Sequence, residues 1–140
     1  MRISARCDYA CRALFELSVH WPNETPLQIQ HISQKQNIPI KYLVHILIQL
    51  KREGIVSSSR GKDGGYVLAK APETIKLGQV MRYVGGELLP IADSAKKKGS
   101  AFKGLWDEVE GAMAKIVDNV SFEDIIMKNS GAGVLSMYQI

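Results

Sequence analysis

Residues 60–66 read Arg60-Gly61-Lys62-Asp63-Gly64-Gly65-Tyr66. A guanidinium and an ammonium group two positions apart, set among glycines, suit a polyanion: the cations meet phosphate oxygens, and glycine lets the backbone approach a surface closely. Cys7 and Cys11 lie four residues apart, which puts both on one face of a helix. Three readings of that pair stay open: small core residues, redox-reactive thiols whose pKa is lowered by Arg6 and Arg12, or cluster or metal ligands contributed by each subunit of a dimer. A disulfide between them inside an intact helix would be strained. His20, His31 and His45 are scattered, one per helix or helix end, and no His/carboxylate constellation, phosphate-binding glycine loop or zinc-ligand spacing is evident. The chain is therefore not expected to be an enzyme.

The elements that must carry these residues follow from periodicity and punctuation. Ser4 is placed to cap a helix over about residues 4–20, with Tyr9, Ala10, Ala13, Leu14, Leu17 and Val19 as its apolar stripe. Trp21 to Pro26 breaks it with two prolines. A second helix is expected over 27–36, a turn at Asn37-Ile38-Pro39, and a third helix over 40–53 with Leu43, Ile46, Leu47 and Leu50 inward and Gly54 just past its end. Extended segments then flank the glycines of 60–66, predicting a hairpin over 55–70 in which Asp63-Gly64-Gly65 takes the positive φ angles of a tight turn. Thr74 to Val84 reads as a short helix, 85–101 as a loop, and Phe102 to Val117 as a long helix whose apolar face is too wide for one small domain to cover. Ser121-Phe122-Glu123-Asp124 opens a last short helix, and the tail from Asn129 is expected to be mobile.

Charge is uneven along the 140 residues. The net charge is +4, and residues 1–70 hold ten Lys/Arg against five Asp/Glu, while the second half is slightly acidic. With a pI of about 9.1, this concentrates positive potential on the helix–turn–helix and hairpin and points to a polyanion partner. No run of about 18 apolar residues exists to span a membrane, and the N-terminus lacks a signal-peptide pattern. A cytoplasmic, reducing location without structural disulfides is expected.

A basic hairpin directly after a helix–turn–helix predicts a mainly α fold with a small β-hairpin: a winged helix–turn–helix over 1–84, followed over 85–140 by a loop, a long C-terminal dimerisation helix and a tail. The second helix of such a unit lies in the DNA major groove. Its leading residues include Lys41, which reaches phosphate or guanine, Tyr42 and His45, which can hydrogen-bond, and Val44, which offers only apolar contact. Arg60 beside Gly61 suits insertion into a narrow minor groove, and Lys62 adds a phosphate contact.

Arg60-Gly-x-x-Gly-Gly-Tyr66-x-Leu68, preceded by Tyr42-Leu43 and Leu50-x-x-x-Gly54-Ile55-Val56, resembles the Rrf-two family of bacterial transcription regulators. Met1-Arg2-Ile3-Ser4, Tyr9-Ala10, Thr74-Ile75-x-Leu77-Gly78 and Leu105-Trp106 extend the likeness over roughly residues 1–125. The resemblance implies a homodimeric DNA-binding regulator, a repressor on a near-palindromic operator, with groove contacts near Pro39, Lys41, Tyr42 and His45 and wing contacts at Arg60 and Gly61. Val44 replaces an acidic residue that helps one member select its sites. Members that bind an iron–sulfur cluster carry three cysteines before the long helix. Here the loop from Leu88 to Gly104 has none; Ser94 and Ser100 fall at two ligand positions and Lys103 at that of a histidine ligand. Asp8 matches a carboxylate ligand of one member. No cofactor is expected, with an iron–sulfur cluster as the alternative. A redox-responsive regulator using Cys7 and Cys11 is one further reading, and an interaction module with degenerate DNA binding, answering to a regulatory protein or small molecule, is another.

Overall fold

The computed structural model describes residues 3–22 and 25–130, so the expected mobile tail lies outside the described residues from Gly131 onward. Helix α1 (Ala5–Val19) begins where Ser4 Oγ accepts the Cys7 amide at 3.1 Å. Its stripe Ala10, Ala13, Leu14 and Leu17 is fully buried, and α1 packs against the helices over 29–36, 40–52, 77–85 and 122–128 and the strand over 65–68. The small alanines let neighbouring backbones come close, and the leucines fill the volume between them.

Helix α2 spans Ile29–Gln36 and ends at Asn37 in the left-handed region, φ 54°. It starts two residues later than the periodicity implies. Leu27 is committed elsewhere: its N–H donates to the Tyr66 carbonyl at 2.9 Å, and the Tyr66 N–H donates back at 2.8 Å. A backbone exchanging both bonds with a strand cannot also open a helix. Helix α3 (Ile40–Arg52) follows Pro39, buries Leu43, Ile46, Leu47 and Leu50, and is stopped by Gly54 at φ +76°. The helix–turn–helix is thus in its expected place.

The hairpin pairs β1 (Val56–Ser59) with β2 (Gly65–Leu68), antiparallel, with Val56 opposite Leu68 and Ser59 opposite Gly65. Val56 and Leu68 anchor its base in the core, and Ser57 to Ser59 face solvent. The tip differs from the expected turn. Positive φ falls on Gly61 (+97°) and Gly65 (+153°), not on Gly64, and the Gly64 amide donates to the Gly61 carbonyl at 3.0 Å. Gly64 is required by crowding: a Cβ there would strike the Ser59 carbonyl, and one on Gly65 would strike the Leu27 carbonyl.

A 3-10 turn, Pro72–Thr74, precedes α4 (Leu77–Gly85). The helix expected from Thr74 is delayed because residues 75–77 pair with 120–122: the Leu77 amide donates to Val120 O at 2.8 Å, and the Phe122 amide to Ile75 O at 3.0 Å. Helix α5 (Lys103–Val117) has no buried residue. Arg82 holds its end through a two-pronged ion pair with Asp118, 2.6 and 2.9 Å, passing over Gly78, where a Cβ would strike the carboxylate. Helix α6 (Phe122–Lys128) opens on a capping box between Ser121 and Asp124 and returns Phe122, 1% exposed, to the core beneath α1.

The glycines of the tip are predicted to separate by mechanism. Gly65→Ala, which must displace the Leu27 backbone, is expected to cost more than about 2 kcal/mol in urea unfolding, and Gly61→Ala, which meets open space, only about 1 kcal/mol of backbone strain.

Candidate nucleic-acid interface

Helix α3 turns Leu43, Ile46, Leu47 and Leu50 inward, which leaves Lys41, His45, Ile48 and Arg52 on the opposite side. Ile40, Tyr42, Val44 and Ile48 are 37–47% exposed, an unusual density of large apolar groups in water for one helix. Tyr42 has a fixed position. It stacks on Tyr9 of α1 with ring centroids 6.0 Å apart; Lys41 Nζ lies 5.0 Å from the Tyr42 ring and the Arg12 guanidinium 5.0 Å from that of Tyr9. This four-residue stack, which sequence spacing does not reveal, locks the leading turn of α3 onto α1.

Arg60, Gly61 and Lys62 are all exposed at the hairpin tip. Two contacts hold the tip relative to the helices. The Gln28 amide nitrogen donates to the Lys62 carbonyl at 3.4 Å, and Lys51 Nζ donates to Ser58 Oγ at 2.6 Å. Lys51 thereby braces β1 against the end of α3. The six expected contact residues therefore occupy two exposed patches, the α3 face and the wing, which these braces fix to each other.

Residues 3–128 match the sequence profile of the Rrf2 family, described as iron-dependent transcriptional regulator. The chain belongs to this family. The helix–turn–helix transcriptional regulator CymR of Bacillus subtilis is 29% identical over 140 residues, covering all of both chains, and IscR of Erwinia tasmaniensis is 27% identical over 90% of this chain and 79% of its own. Among solved structures, that of B. subtilis CymR, titled the global cysteine regulator, superposes with a TM-score of 0.80 at 26% identity, covering 93% of this chain and 99% of CymR. T. potens IscR gives 0.79 at 28% identity over 94% and 90%. The Rrf2 chain described here is accordingly a winged-helix, DNA-binding transcription regulator and not an enzyme. No described helix is long and apolar enough to cross a membrane.

The residues expected to carry a signal, Cys7 and Cys11, both lie on α1. Cys7 is buried beside Met81 and Leu88, lining a shallow cleft with Ile3, Ser4 and Pro90 where α1 meets α4; Cys11 is half-buried one turn on. A hydrogen bond from the Cys11 thiol lowers Cys7 to about 7, against the opposing effects of burial and of the Asp8 charge. The donor, Cys11, is pushed up by the same bond and by its burial. The arginines expected to tune these thiols are engaged elsewhere: Arg6 donates to Gln49 Oε1 at 2.7 Å, and Arg12 to the Gln36 carbonyl at 2.6 Å. Asp8 is exposed and pairs with Arg12 at 3.0 Å. Cluster irons take thiolates, four as a rule. This chain offers two, both free thiols on α1, with none in the loop before α5. The donor set of a single chain does not complete an iron–sulfur cluster.

One constellation was not expected. Glu16 and His20 of α1 and its following residue meet His31 of α2, so the histidines are not all scattered. His20 Nε2 lies 3.1 Å and His31 Nε2 3.5 Å from Glu16 Oε2, while the Gln36 amide donates to Oε1 at 3.0 Å. Glu16 is 3% exposed. Burial alone would raise its carboxyl; the bonds from Gln36, His20 and His31 outweigh this and hold it below the usual range. The i, i+4 spacing of Glu16 and His20 was visible in the sequence, but the approach of His31 depends on helix packing.

Cys7 alkylation by iodoacetamide, followed by mass spectrometry across pH, is predicted to titrate with a midpoint of about 7. In Cys11→Ala, which removes the donated hydrogen bond and leaves only the raising effects of burial and the Asp8 charge, the midpoint moves above that of an ordinary thiol, about 8.5.

Proposed function

We propose that this protein is a cytoplasmic homodimeric repressor that reads a near-palindromic operator, each subunit placing the start of α3 in the major groove and the wing in the adjoining minor groove. The observation that carries this reading is the face of α3 that the fold leaves uncovered. Lys41 and His45 supply groups for phosphate or base edges, and Ile40, Val44 and Ile48 supply apolar contact of the kind thymine methyls take. Arg60 on an open glycine-rich tip supplies the minor-groove cation.

The dimer is proposed to form through α5. Phe102, Leu105, Val109 and Ile116 are 58, 47, 37 and 66% exposed and recur along one stripe, while Met113, Ala114 and Val117 on the adjoining side pack against the cluster of Cys7, Met81 and Leu88. A stripe so exposed fits a self-complementary contact around a two-fold axis. The hydrogen-bonded Cys7–Cys11 pair favours thiol chemistry as the releasing signal over a cluster. Oxidant-insensitive binding would direct attention to a small-molecule or protein effector instead.

The decisive experiment is an electrophoretic mobility shift on DNA from upstream of the protein's own gene. Arg60→Ala is expected to weaken specific binding by about 1–3 kcal/mol, and Lys62→Ala to weaken all sequences alike and flatten the dependence of log K on log salt by about one unit. Equal binding by wild type and Arg60→Ala removes the wing from the interface. Binding without sequence preference favours the interaction-module reading. Separately, Val109→Glu is expected to sediment as a monomer in analytical ultracentrifugation and to lose operator binding.

A further inference from the structure

We propose that Glu16, His20 and His31 form a metal site for a divalent ion of the Zn2+ class, with three protein ligands and a fourth position open to water. The site is independent of the DNA-binding surfaces and of the thiol pair, and nothing in the regulatory reading requires it.

The distances from the imidazole nitrogens to the carboxylate are those of a first coordination shell. Zn–N and Zn–O bonds of about 2.0–2.2 Å in a tetrahedron place donor atoms roughly 3.4 Å apart. The two histidine nitrogens stand 3.1 and 3.5 Å from Glu16 Oε2, and one donor atom from each residue lies within 4.8 Å of the others. Two imidazoles and a carboxylate are a donor set that suits Zn2+ and its first-row neighbours, not Mg2+ or Ca2+, which take oxygen shells.

The surroundings also fit. Glu16 is a charged group on the core side of α1, where carboxylates are seldom buried without a cation or a metal. Its second oxygen is held by Gln36, the outer-shell contact that orients a ligating carboxylate. The imidazoles are 42% and 47% exposed, so the ion has an entry path and a water has room. His20 and His31 cross edge-to-face, centroids 5.9 Å apart, so their rings do not block the space between them. A bound ion would tie the end of α1 to α2, the first helix of the helix–turn–helix.

The experiment titrates the reduced, full-length chain with Zn2+ in competition with a chromophoric chelator. One Zn2+ per chain is expected. Loss of an outer-shell partner alone costs about 10–100-fold, so His20→Ala and His31→Ala should each weaken Zn2+ by more than about 100-fold. Both positions are exposed, and circular dichroism melting verifies that the variants fold. Co2+ reports ligand type: weak visible bands without thiolate-to-cobalt charge transfer support the site. Three outcomes overturn it: folded wild type that binds no Zn2+, an affinity unchanged in both histidine variants, or a Co2+ charge-transfer band that places the ion on Cys7 and Cys11. The first would leave the three residues as a hydrogen-bonded network around a buried carboxylate.

Discussion

The burial of α1 is the constraint on which the rest of the structure depends. α2, α3, α4, α6 and β2 all pack on this one helix. They can do so because Ala10 and Ala13 present almost no volume, while Leu14 and Leu17 fill what remains. A helix enclosed on so many sides has only narrow strips left for polar groups, and each strip holds one pairing. Cys7 and Cys11 face α4, Asp8 and Arg12 pair on the outside, Tyr9 stacks on Tyr42, and Glu16 and His20 turn to α2. The geometry of the leading turn of α3, the thiols and the Glu/His cluster therefore follows from the packing of a single element.

The wing illustrates the same dependence at the backbone level. Three stretches of chain, at Leu27, at Ser59–Arg60 and at Gly64–Gly65, converge more closely than side chains would allow. Glycine relieves the crowding, and the bridge from Leu27 to Tyr66 then fixes the hairpin to the start of α2. Tip charge and tip position are thus separate properties of one motif. Arg60 and Lys62 provide the first, and Gly64 and Gly65 the second, while Gly61 alone combines a positive φ with open space beside the cation.

Much of this was legible because its causes are local. Ser4 caps α1 by accepting an amide three residues on, Pro39 and Gly54 bracket α3, and the Ser121–Asp124 box needs only its own turn. The features that escaped are non-local. Leu27 leaves α2 because of Tyr66, the start of α4 is set by residues 120–122, and His31 meets Glu16 only after α1 and α2 pack. The neighbours of the thiols are non-local in the same way: Arg6 and Arg12 adjoin Cys7 and Cys11 in sequence, but their guanidinium groups are drawn to Gln49 and Gln36, leaving Cys11 itself as the group that acts on Cys7.

These pairings bear on how such a regulator could release DNA. A tenfold change in affinity requires only about 1.4 kcal/mol of difference between two states. A single hydrogen bond contributes about 0.5–1.5 kcal/mol, so altering the Cys7–Cys11 bond is an input of the right size if the rest of α1 moves with it. α1 is suited to that role because it is stiff and enclosed. A displacement at Cys7 has two packed neighbours through which to act, the Tyr9–Tyr42 stack and the α4–α5 contact. The first of these carries the leading turn of α3, and the second carries the proposed dimer contact. In the proposed homodimer either route changes the spacing between the two copies of α3, and because the half-sites of a near-palindromic operator have a fixed separation, a small change in that spacing is enough to lose one of the two proposed contacts.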